Sequence, residues 1–256
     1  MSLTDDLRSR FNVPVNPGTA VIALAGNPNT GKSTLFNALT GLKQHTGNWP
    51  GKTVLQARGS FHYAGKEYVL VDLPGTYSLL ANSPEEQVAR DFLCFARPDA
   101  TVVVVDATCL ERNLNLVLQV LEITGRVIVC ANMMDEARRK KIYIDLDALR
   151  EELGVPVVAT EARHGTGLTA LKEMIHALVG GCISTSPRRL TYDPAIEAAV
   201  ARLEEELPAA IREQISGRWV ALRLLDQDRY VIERIRAFYH LPEWGVFREG
   251  YKCCAV

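Results

Sequence analysis

The stretch that decides the fold is Ala25-Gly26-Asn27-Pro28-Asn29-Thr30-Gly31-Lys32-Ser33-Thr34. It follows an apolar run typical of a buried strand and precedes a helical pattern. Its spacing, GxxxxGKS, fits a phosphate-binding loop, in which backbone N–H groups and a helix N-terminus face the phosphates. We therefore predict a nucleotide site, with Lys32 as the cation for the outer phosphates and Ser33 as a ligand of Mg²⁺.

Strand and helix patterns alternate on both sides of this loop. Two strands joined by Ala64-Gly65 form a predicted antiparallel hairpin, and uninterrupted apolar runs predict buried parallel strands. We predict an α/β fold with a mostly parallel six-stranded sheet, one antiparallel hairpin and helices on both faces. The predicted strands are 20–25, 54–63, 66–71, 100–105, 126–131 and 155–159, and the predicted helices are 32–40, 83–96, 114–124, 146–153 and 168–179.

The pattern changes after residue 180. Three helical segments follow a polar linker, starting at the Asp193-Pro194 helix signal. The connection between residues 43 and 52 contains two glycines and a proline and is predicted to be irregular. The predicted organisation is a leader (1–18), a nucleotide-binding domain (19–181), a linker (182–192) and a small all-helical domain (193–256).

Composition sets broad limits on function. The 256 residues carry a formal net charge of −1, which gives no overall field that would attract nucleic acid or anionic lipid. No apolar run approaches the ~18–20 residues that span a bilayer, and the start lacks a secretory signal, so we expect a soluble cytoplasmic chain. None of the six cysteines forms a CxxC pair, and we expect buried reduced thiols, with adjacent Cys253 and Cys254 as the exception.

Short polar motifs follow three later strands, at the edge where α/β folds bind ligands. Asp72-x-x-Gly75 suits Mg²⁺ binding through water and a backbone contact to a γ-phosphate. Asn132-x-x-Asp135 suits guanine, because a carboxylate accepts two hydrogen bonds from its N1–H and 2-amino group, whereas adenine leaves the carboxylate unpaired.

Two further positions complete the predicted site. The backbone N–H of Ala162, in the segment Thr160-Glu161-Ala162, is predicted to contact the guanine O6. The hydroxyl of Thr53 is predicted to join the Mg²⁺ coordination when a γ-phosphate is present.

In this order the motifs resemble a GTPase of the translation-factor-related group, and more specifically the GTPase part of the FeoB ferrous iron transporter family. The resemblance rests on GNPNTGKSTLFNALTG (26–41), GNWPGKTV (47–54), VDLPGTYSL (71–79) and LERNL (110–114), and it is strong over residues 19–180. RWVALRLL (218–225) resembles the helical domain that follows the GTPase in that family.

The resemblance implies a switch function. Stretches 43–53 and 75–84 would order with GTP, and the helical domain would pass the change to a covalently continuous transmembrane iron-permease domain, with the chain at the cytoplasmic face of a bacterial inner membrane. Small cytosolic accessory proteins and a homo-oligomer are further implied partners, and nucleic acid is not. The implied cofactors are GTP or GDP, Mg²⁺ and K⁺.

The resemblance also implies roles for individual residues. Mg²⁺ is assigned to Ser33, Thr53 and Asp72, K⁺ to Asn29, and catalytic roles to Lys32, Asn29, Thr53 and Gly75. The implied nucleotide contacts are Gly26, Asn27, Pro28, Asn29, Thr30, Gly31, Lys32, Ser33, Thr34, Gly51, Lys52, Thr53, Asp72, Gly75, Asn132, Met133, Asp135, Glu161 and Ala162.

Three departures from related GTPases affect these expectations. Met133 replaces the usual lysine of the guanine motif, and Glu161 stands where related proteins often have serine. No glutamine follows Gly75, so we expect slow hydrolysis, with the attacking water held by backbone or by a partner.

Two alternatives stay open on the residues. One is a ribosome- or RNA-associated GTPase, although the acidic helical part lacks an aromatic RNA-binding signature. The other is an adaptor that binds GTP without turnover. His45 and His62 do not by themselves predict a metal site.

Overall fold

A computed structural model describes residues 3–13, 16, 18–41, 44–80 and 83–239. The chain divides into two compact units, Met1–Thr191 and Tyr192–Val256. No helix within these described ranges is long and apolar enough to cross a membrane.

The N-terminal unit is built on one sheet in the order β2-β3-β4-β1-β5-β6-β7. Strands β4, β1, β5, β6 and β7 run parallel, and β2 and β3 are antiparallel to their neighbours. The predicted mostly parallel α/β fold is confirmed. The strands are β1 (Ala20–Gly26), β2 (Gln44–Asn48), β3 (Leu55–Tyr63), β4 (Lys66–Asp72), β5 (Ala100–Asp106), β6 (Val127–Asn132) and β7 (Val157–Ala159).

The sheet has seven strands rather than the predicted six, because β2 lies in the connection that was expected to be irregular. It pairs with β3 from Gln44↔Gly59 to Asn48↔Leu55. The glycine and proline signals gave the wrong prediction because they describe local preference only. The edge of β3 offers unpaired backbone groups, and pairing with it satisfies the connection's own N–H and C=O groups.

The helix ends follow their sequence signals closely. Helix α2 ends at Gly41, which has a left-handed backbone with φ 62°, and Ser83 caps α3 by accepting a hydrogen bond from the N–H of Glu86. Helix α3 continues into a π-helical turn, Phe92–Ala96. The helices of this unit are α1 (Leu3–Ser9), α2 (Lys32–Thr40), α3 (Pro84–Asp91), α4 (Leu110–Ile123), α5 (Met134–Arg139), α6 (Leu146–Leu153) and α7 (Leu168–Val179).

Helices α1 and α5 are absent from the sequence-based prediction. Both are short, and α5 has only Ala137 buried, so neither carries a long apolar stripe that periodicity could detect. In contrast, β1, β5 and β6 are buried almost throughout, as their uninterrupted apolar runs predict.

The C-terminal unit is helical over its described residues. Its apolar cluster joins Val200 and Leu203 of the first helix to Ala221 and Leu222 of the third. Its described helices are α8 (Pro194–Glu206), α9 (Ala209–Arg212), α10 (Gly217–Leu225) and α11 (Arg229–Tyr239), and the short α9 is additional to the three predicted helical segments.

The expected burial of the cysteines is only partly correct. Cys94 and Cys130 are buried free thiols, whereas Cys109 and Cys182 are exposed. Cys109 occupies the N-cap of α4 and Cys182 follows the end of α7, positions at which neighbouring apolar residues do not ensure burial. Cys253 and Cys254 lie outside the described residues.

Candidate functional site

The phosphate-binding loop lies between β1 and α2, and glycine is required at both of its ends. A Cβ atom on Gly26 would lie 2.7 Å from the carbonyl oxygen of Val104 on β5. Gly31 has φ +79°, and a Cβ atom there would lie 2.4 Å from the Asn132 side-chain amide. The loop can therefore pass close to both neighbouring strands. The Thr30 hydroxyl donates to the carbonyl of Asn27 at 3.0 Å and closes the turn.

Lys32 and Asp72 lie side by side at the start of α2 and the end of β4. The Lys32 amine contacts the Asp72 carboxylate and donates to the carbonyl of Leu73 at 2.6 Å. Burial raises the pKa of Asp72, and the adjacent ammonium group acts in the opposite direction. Parallel pairing of β1 with β4 places Leu24 opposite Asp72, so the sheet itself brings the carboxylate to the loop.

The segment after Asp72 is fixed against the same loop. The N–H of Thr76 donates to the carbonyl of Gly26 at 3.3 Å. A Cβ atom on Gly75 would lie 3.4 Å from the Cα atom of Pro28, which is ordinary van der Waals contact. The predicted γ-phosphate segment thus adjoins the loop through backbone atoms.

Asn132 connects three segments from the interior. Its side-chain amide donates to the carbonyl of Thr30 at 3.0 Å. Its side-chain oxygen accepts from the Thr160 hydroxyl at 3.1 Å and from the Ala162 N–H at 3.0 Å. Because Asn132 is 2% exposed, these bonds replace the water that a polar side chain would otherwise bind.

A cavity of about 120 Å³ opens beside Asn132. Met133, which has a left-handed backbone with φ 62°, lies at its rim next to Asp135. The His164 ring nitrogen Nε2 lies 3.6 Å from one oxygen of the Asp135 carboxylate. The lining residues are Gly31, Thr34, Asn132, Met133, Asp135, Glu136, Ala162 and Arg163.

The Glu161 carboxylate pairs with a neighbouring helix. The carboxylate lies 2.5 Å from the guanidinium of Arg138 on α5. The backbone N–H of Glu161 donates to the carbonyl of Thr166 at 3.0 Å. The Glu161 side chain is 12% exposed and the Arg138 side chain is 64% exposed. Glu161 therefore connects the last loop of the predicted site, residues 160–167 between β7 and α7, to α5.

The segment ahead of β3 carries the remaining predicted residues. Gly51 has φ 67°, and the Lys52 amine donates to the side-chain oxygen of Gln87 on α3 at 2.8 Å. Thr53 is exposed in the same turn. Its predicted role as a Mg²⁺ ligand stays a prediction.

Most predicted positions thus adjoin one another at the carboxyl edge of the sheet. Three further residues were not singled out from the sequence. Thr160 orients Asn132, Arg163 lines the cavity, and the carbonyl of Leu73 holds Lys32. The position of Arg163, directly after Ala162, was the available signal for it.

Comparisons with known proteins agree with this arrangement. A family model described as "Ferrous iron transport protein B" matches residues 20–175, and one described as "FeoB cytosolic helical domain" matches residues 192–244.

Individual relatives support the same assignment. A Porphyromonas gingivalis Fe(2+) transport protein A/FeoB fusion protein is 38% identical over 228 residues, and the Fe(2+) transporter FeoB of Escherichia coli K12 is 39% identical over 213. The alignments cover 87% and 82% of this chain but only 27% of each relative.

A solved structure has the same fold. The cytosolic domain of the T. maritima FeoB iron transporter, in a GDP form, has a TM-score of 0.76 and 37% identity, covering 91% of this chain and 89% of that one. The matches to both family models, the identity with these relatives and the likeness to the solved structure lead to one conclusion: the chain belongs to the ferrous iron transport protein B (FeoB) family of P-loop GTPases.

Proposed function

We propose that the N-terminal unit binds GTP and GDP and hydrolyses GTP. The observation that carries this proposal is the pair of hydrogen bonds that Asn132 makes with Thr30 and Ala162. These bonds bring the phosphate-binding loop and the last loop to one cavity beside Asp135. Support also comes from the T. maritima relative, whose structure is described as a GDP form.

Guanine selection is assigned to the side chain of Asp135. Asp135 and Ala162 line the same cavity, and the Asp135 carboxylate offers a pair of acceptors there. The backbone N–H of Ala162 donates to the Asn132 side-chain oxygen in this structure, so its contact with the guanine O6 requires it to exchange that partner for the base. Met133 and Arg163 line the same cavity. Met133 supplies an apolar side chain there, and Arg163 supplies a guanidinium-bearing one. A guanine base satisfies this combination better than adenine, because adenine would leave the carboxylate unpaired.

Phosphate binding is assigned to the backbone N–H groups of residues 29–34 and to the Lys32 amine, since Pro28 has no N–H. The oxygen donors Ser33, Thr53 and Asp72 suit Mg²⁺, which binds nucleotides through few protein oxygens, and bound Mg²⁺ would neutralise phosphate charge. The half-buried carboxylate of Asp72 next to the loop fits that ion. Gly75 would add a backbone contact, and Gly51 and Lys52 would flank Thr53.

Hydrolysis is proposed to be slow and stimulated by K⁺. The sequence after Gly75 continues with Thr76 and Tyr77, which places no glutamine there to orient water. K⁺ is assigned to Asn29, whose left-handed backbone with φ 67° lies within the loop. A cation at this position would supply charge that other GTPases take from an arginine side chain.

For the whole protein we propose a nucleotide switch that regulates Fe²⁺ uptake. The chain spans about a quarter of the length of its curated relatives, which are Fe(2+) transporters, and we infer a continuous membrane domain beyond this stretch. We assign residues 19–181 to the GTP-binding domain and 193–256 to the helical domain, at the cytoplasmic face of the inner membrane. Family membership favours this hypothesis over the ribosome-associated alternative.

The proposal is tested by replacing Asp135 with asparagine. Asp135→Asn should weaken GDP binding by about tenfold or more and strengthen xanthosine diphosphate binding, because the amide offers a donor where the carboxylate accepted. The matched control is Asp147→Asn, a change at a side chain 83% exposed on α6, which should leave both affinities unchanged. Unchanged GDP affinity in Asp135→Asn would contradict the guanine assignment.

A further inference from the structure

The N-terminal segment (residues 3–13) is packed into the N-terminal unit, although it lies outside the stretches matched by the family models. Leu7, Phe11 and Val13 are 0%, 6% and 2% exposed. These values are those of core residues, so the segment is part of the folded unit.

Arg8 fixes the helix of this segment. The Arg8 guanidinium donates to the carbonyls of Ala96 at 3.2 Å and Arg97 at 2.7 Å, and it lies 3.1 Å from the Asp99 carboxylate. The Arg8 side chain is 6% exposed, so these contacts are largely shielded from solvent. The anchor joins α1 to the end of the π-helical turn.

Phe11 reaches the turn that precedes β3. Its ring lies 6.4 Å from the ring of Trp49 and 5.4 Å from the ring of Phe92, both edge to face. Trp49 and Phe92 lie 5.4 Å apart and are 2% and 0% exposed. The three rings form a closed cluster of the kind in which each aromatic pair adds stability beyond its buried area.

Two hydrogen bonds fix the backbone at Phe11 and Asn12 against β3. The side-chain amide of Gln56, 3% exposed, donates to the carbonyl of Phe11 at 2.9 Å, and the Arg58 guanidinium donates to the carbonyl of Asn12. Both donors belong to β3, the strand that begins directly after the turn. The segment is therefore fixed to the first residues of β3, which follow the turn that contains Thr53.

The Trp49 turn (residues 49–54) closes on its tryptophan. The N–H of Trp49 donates to the carbonyl of Val54 at 2.9 Å, and the N–H of Lys52 donates to the carbonyl of Trp49 at 3.0 Å. The Trp49 indole N–H has no acceptor in the described part of the chain, so packing, including the contacts with the Phe11 and Phe92 rings, holds this side chain. Moving Trp49 would therefore move Lys52 and Thr53.

We propose that Phe11 is a positioning residue for nucleotide binding: the N-terminal segment holds Trp49, and thereby presents Thr53 to a triphosphate and its Mg²⁺. This inference rests on the proposed function, in which Thr53 is a Mg²⁺ ligand. Preorganising the turn lowers the ordering cost of the triphosphate complex, while a diphosphate complex that does not use Thr53 gains nothing. The segment thus favours GTP over GDP.

The test compares Phe11→Ala with wild type in the full chain. Affinity for a non-hydrolysable GTP analogue should fall about five- to tenfold with GDP affinity within about twofold, since only the first complex orders the turn. Hydrogen exchange of amides 44–54 should become faster. Phe11→Leu, which keeps most of the apolar volume, should remain near wild type.

A second pair of variants covers the case in which Phe11→Ala fails to fold. Arg8→Ala removes the buried anchor and should shift the affinity ratio in the same direction. Arg10→Ala is the matched control, because its side chain is 35% exposed on the same segment and pairs with Asp6. It should leave the ratio and the exchange of 44–54 unchanged.

Three results separate the hypotheses. Equal weakening of both nucleotides would show a purely structural role and overturn the proposal, and so would unchanged exchange of 44–54 in Phe11→Ala and Arg8→Ala. Failure of the wild-type chain to bind any guanine nucleotide would overturn the proposed function and, with it, the nucleotide role of Phe11. In that case the exchange data would still report whether the segment holds the turn.

Discussion

The side-chain amide of Asn132 donates a hydrogen bond to the backbone carbonyl of Thr30 at 3.0 Å, although 102 positions separate them. The same side chain accepts from the Ala162 N–H at 3.0 Å. One asparagine therefore sets the spacing between the phosphate-binding loop and the last loop. Because the side chain must donate to one loop and accept from the other, these two hydrogen bonds explain an asparagine at this position without any contact to a base.

Replacing Asn132 with alanine should weaken GDP and GTP binding together. The change leaves the carbonyl of Thr30 and the N–H of Ala162 without their partner, which costs about 1–3 kcal/mol for each buried group. We expect at least about a tenfold loss of affinity for both nucleotides by titration, since 1.4 kcal/mol corresponds to tenfold.

The matched control for this variant is Asn113→Ala. Asn113 is also 2% exposed, but its amide donates to the carbonyl of Cys109 at 2.8 Å, at the start of α4. This variant should lose stability while nucleotide affinity is retained. Equal loss of affinity in both variants would contradict a specific role for Asn132.

Removing the Arg138 side chain should speed GDP release. The Arg138–Glu161 pair holds the last loop against α5, and because the arginine is 64% exposed its contribution is small. Arg138→Ala should raise the GDP dissociation rate about two- to fivefold, as expected for an exposed ion pair worth under about 1 kcal/mol.

Arg139 supplies a matched control on the same helix. It pairs with Glu136 and is 66% exposed, but Glu136 belongs to α5 rather than to the last loop. Arg139→Ala should leave GDP release unchanged when the rate is followed by displacement of a fluorescent GDP. If both arginine variants release GDP at the same faster rate, the Glu161 contact is not responsible.

Removing the carboxamide of Asn29 should abolish stimulation by K⁺. Asn29 has φ 67°, which glycine adopts without steric cost, so Asn29→Gly removes the side chain with little strain in the loop. We expect the wild-type chain to hydrolyse GTP faster in KCl than in NaCl, and Asn29→Gly to be slow and equal in both. Equal wild-type rates in the two salts would refute the K⁺ assignment.

The Glu197–Arg218 pair should make the stability of the C-terminal unit depend on pH. Two hydrogen bonds of 2.6 and 2.8 Å join the side chains. Together with the N–H of Tyr192, the Arg218 bonds lower the pKa of Glu197 from 4.5 to about 2. Because the pKa is lowered on folding, the pair stabilises the fold fully above pH 4.5 and loses its effect as the pH falls toward 2.

Denaturant unfolding at several pH values tests this prediction. Glu197→Gln should be less stable than wild type at pH 7, and the difference should shrink between pH 4.5 and 2. In a background that carries Trp49→Phe and Trp244→Phe, the remaining tryptophan is Trp219 on α10, and its fluorescence reports the unfolding of the C-terminal unit. A difference that is constant from pH 7 to pH 3 would contradict the lowered pKa.

Local sequence signals predicted much of the fold. Gly41 and Gly154 have left-handed backbones that end α2 and α6, and Ser83 and Asp193 cap the helices that follow them. Such signals work because a cap or a positive φ is decided within a few residues. The motifs at the ends of β1, β4 and β6 were predicted to share one edge of the sheet. This prediction was correct because the carboxyl ends of parallel strands meet at the same edge.

Contacts over long sequence distances were not predictable. Strand β2 formed where glycine and proline indicated irregular chain, because β3 offered an open edge. The docking of Phe11 on Trp49, the Arg138 partner of Glu161 and the place of Arg163 at the cavity likewise depend on segments far apart in the chain.

The sequence by itself determined the phosphate-binding loop, the alternation of strands and helices, and the residue types needed for a guanine nucleotide with Mg²⁺. These follow from chemistry within a few residues, where steric and hydrogen-bonding preferences act directly. Only the tertiary structure decided that Asn132 links Thr30 to Ala162 and that Phe11 packs against Trp49 in the turn before β3. Burial removes water as an alternative partner, so a buried polar group such as the Asn132 amide depends on the partners that the packed fold brings to it.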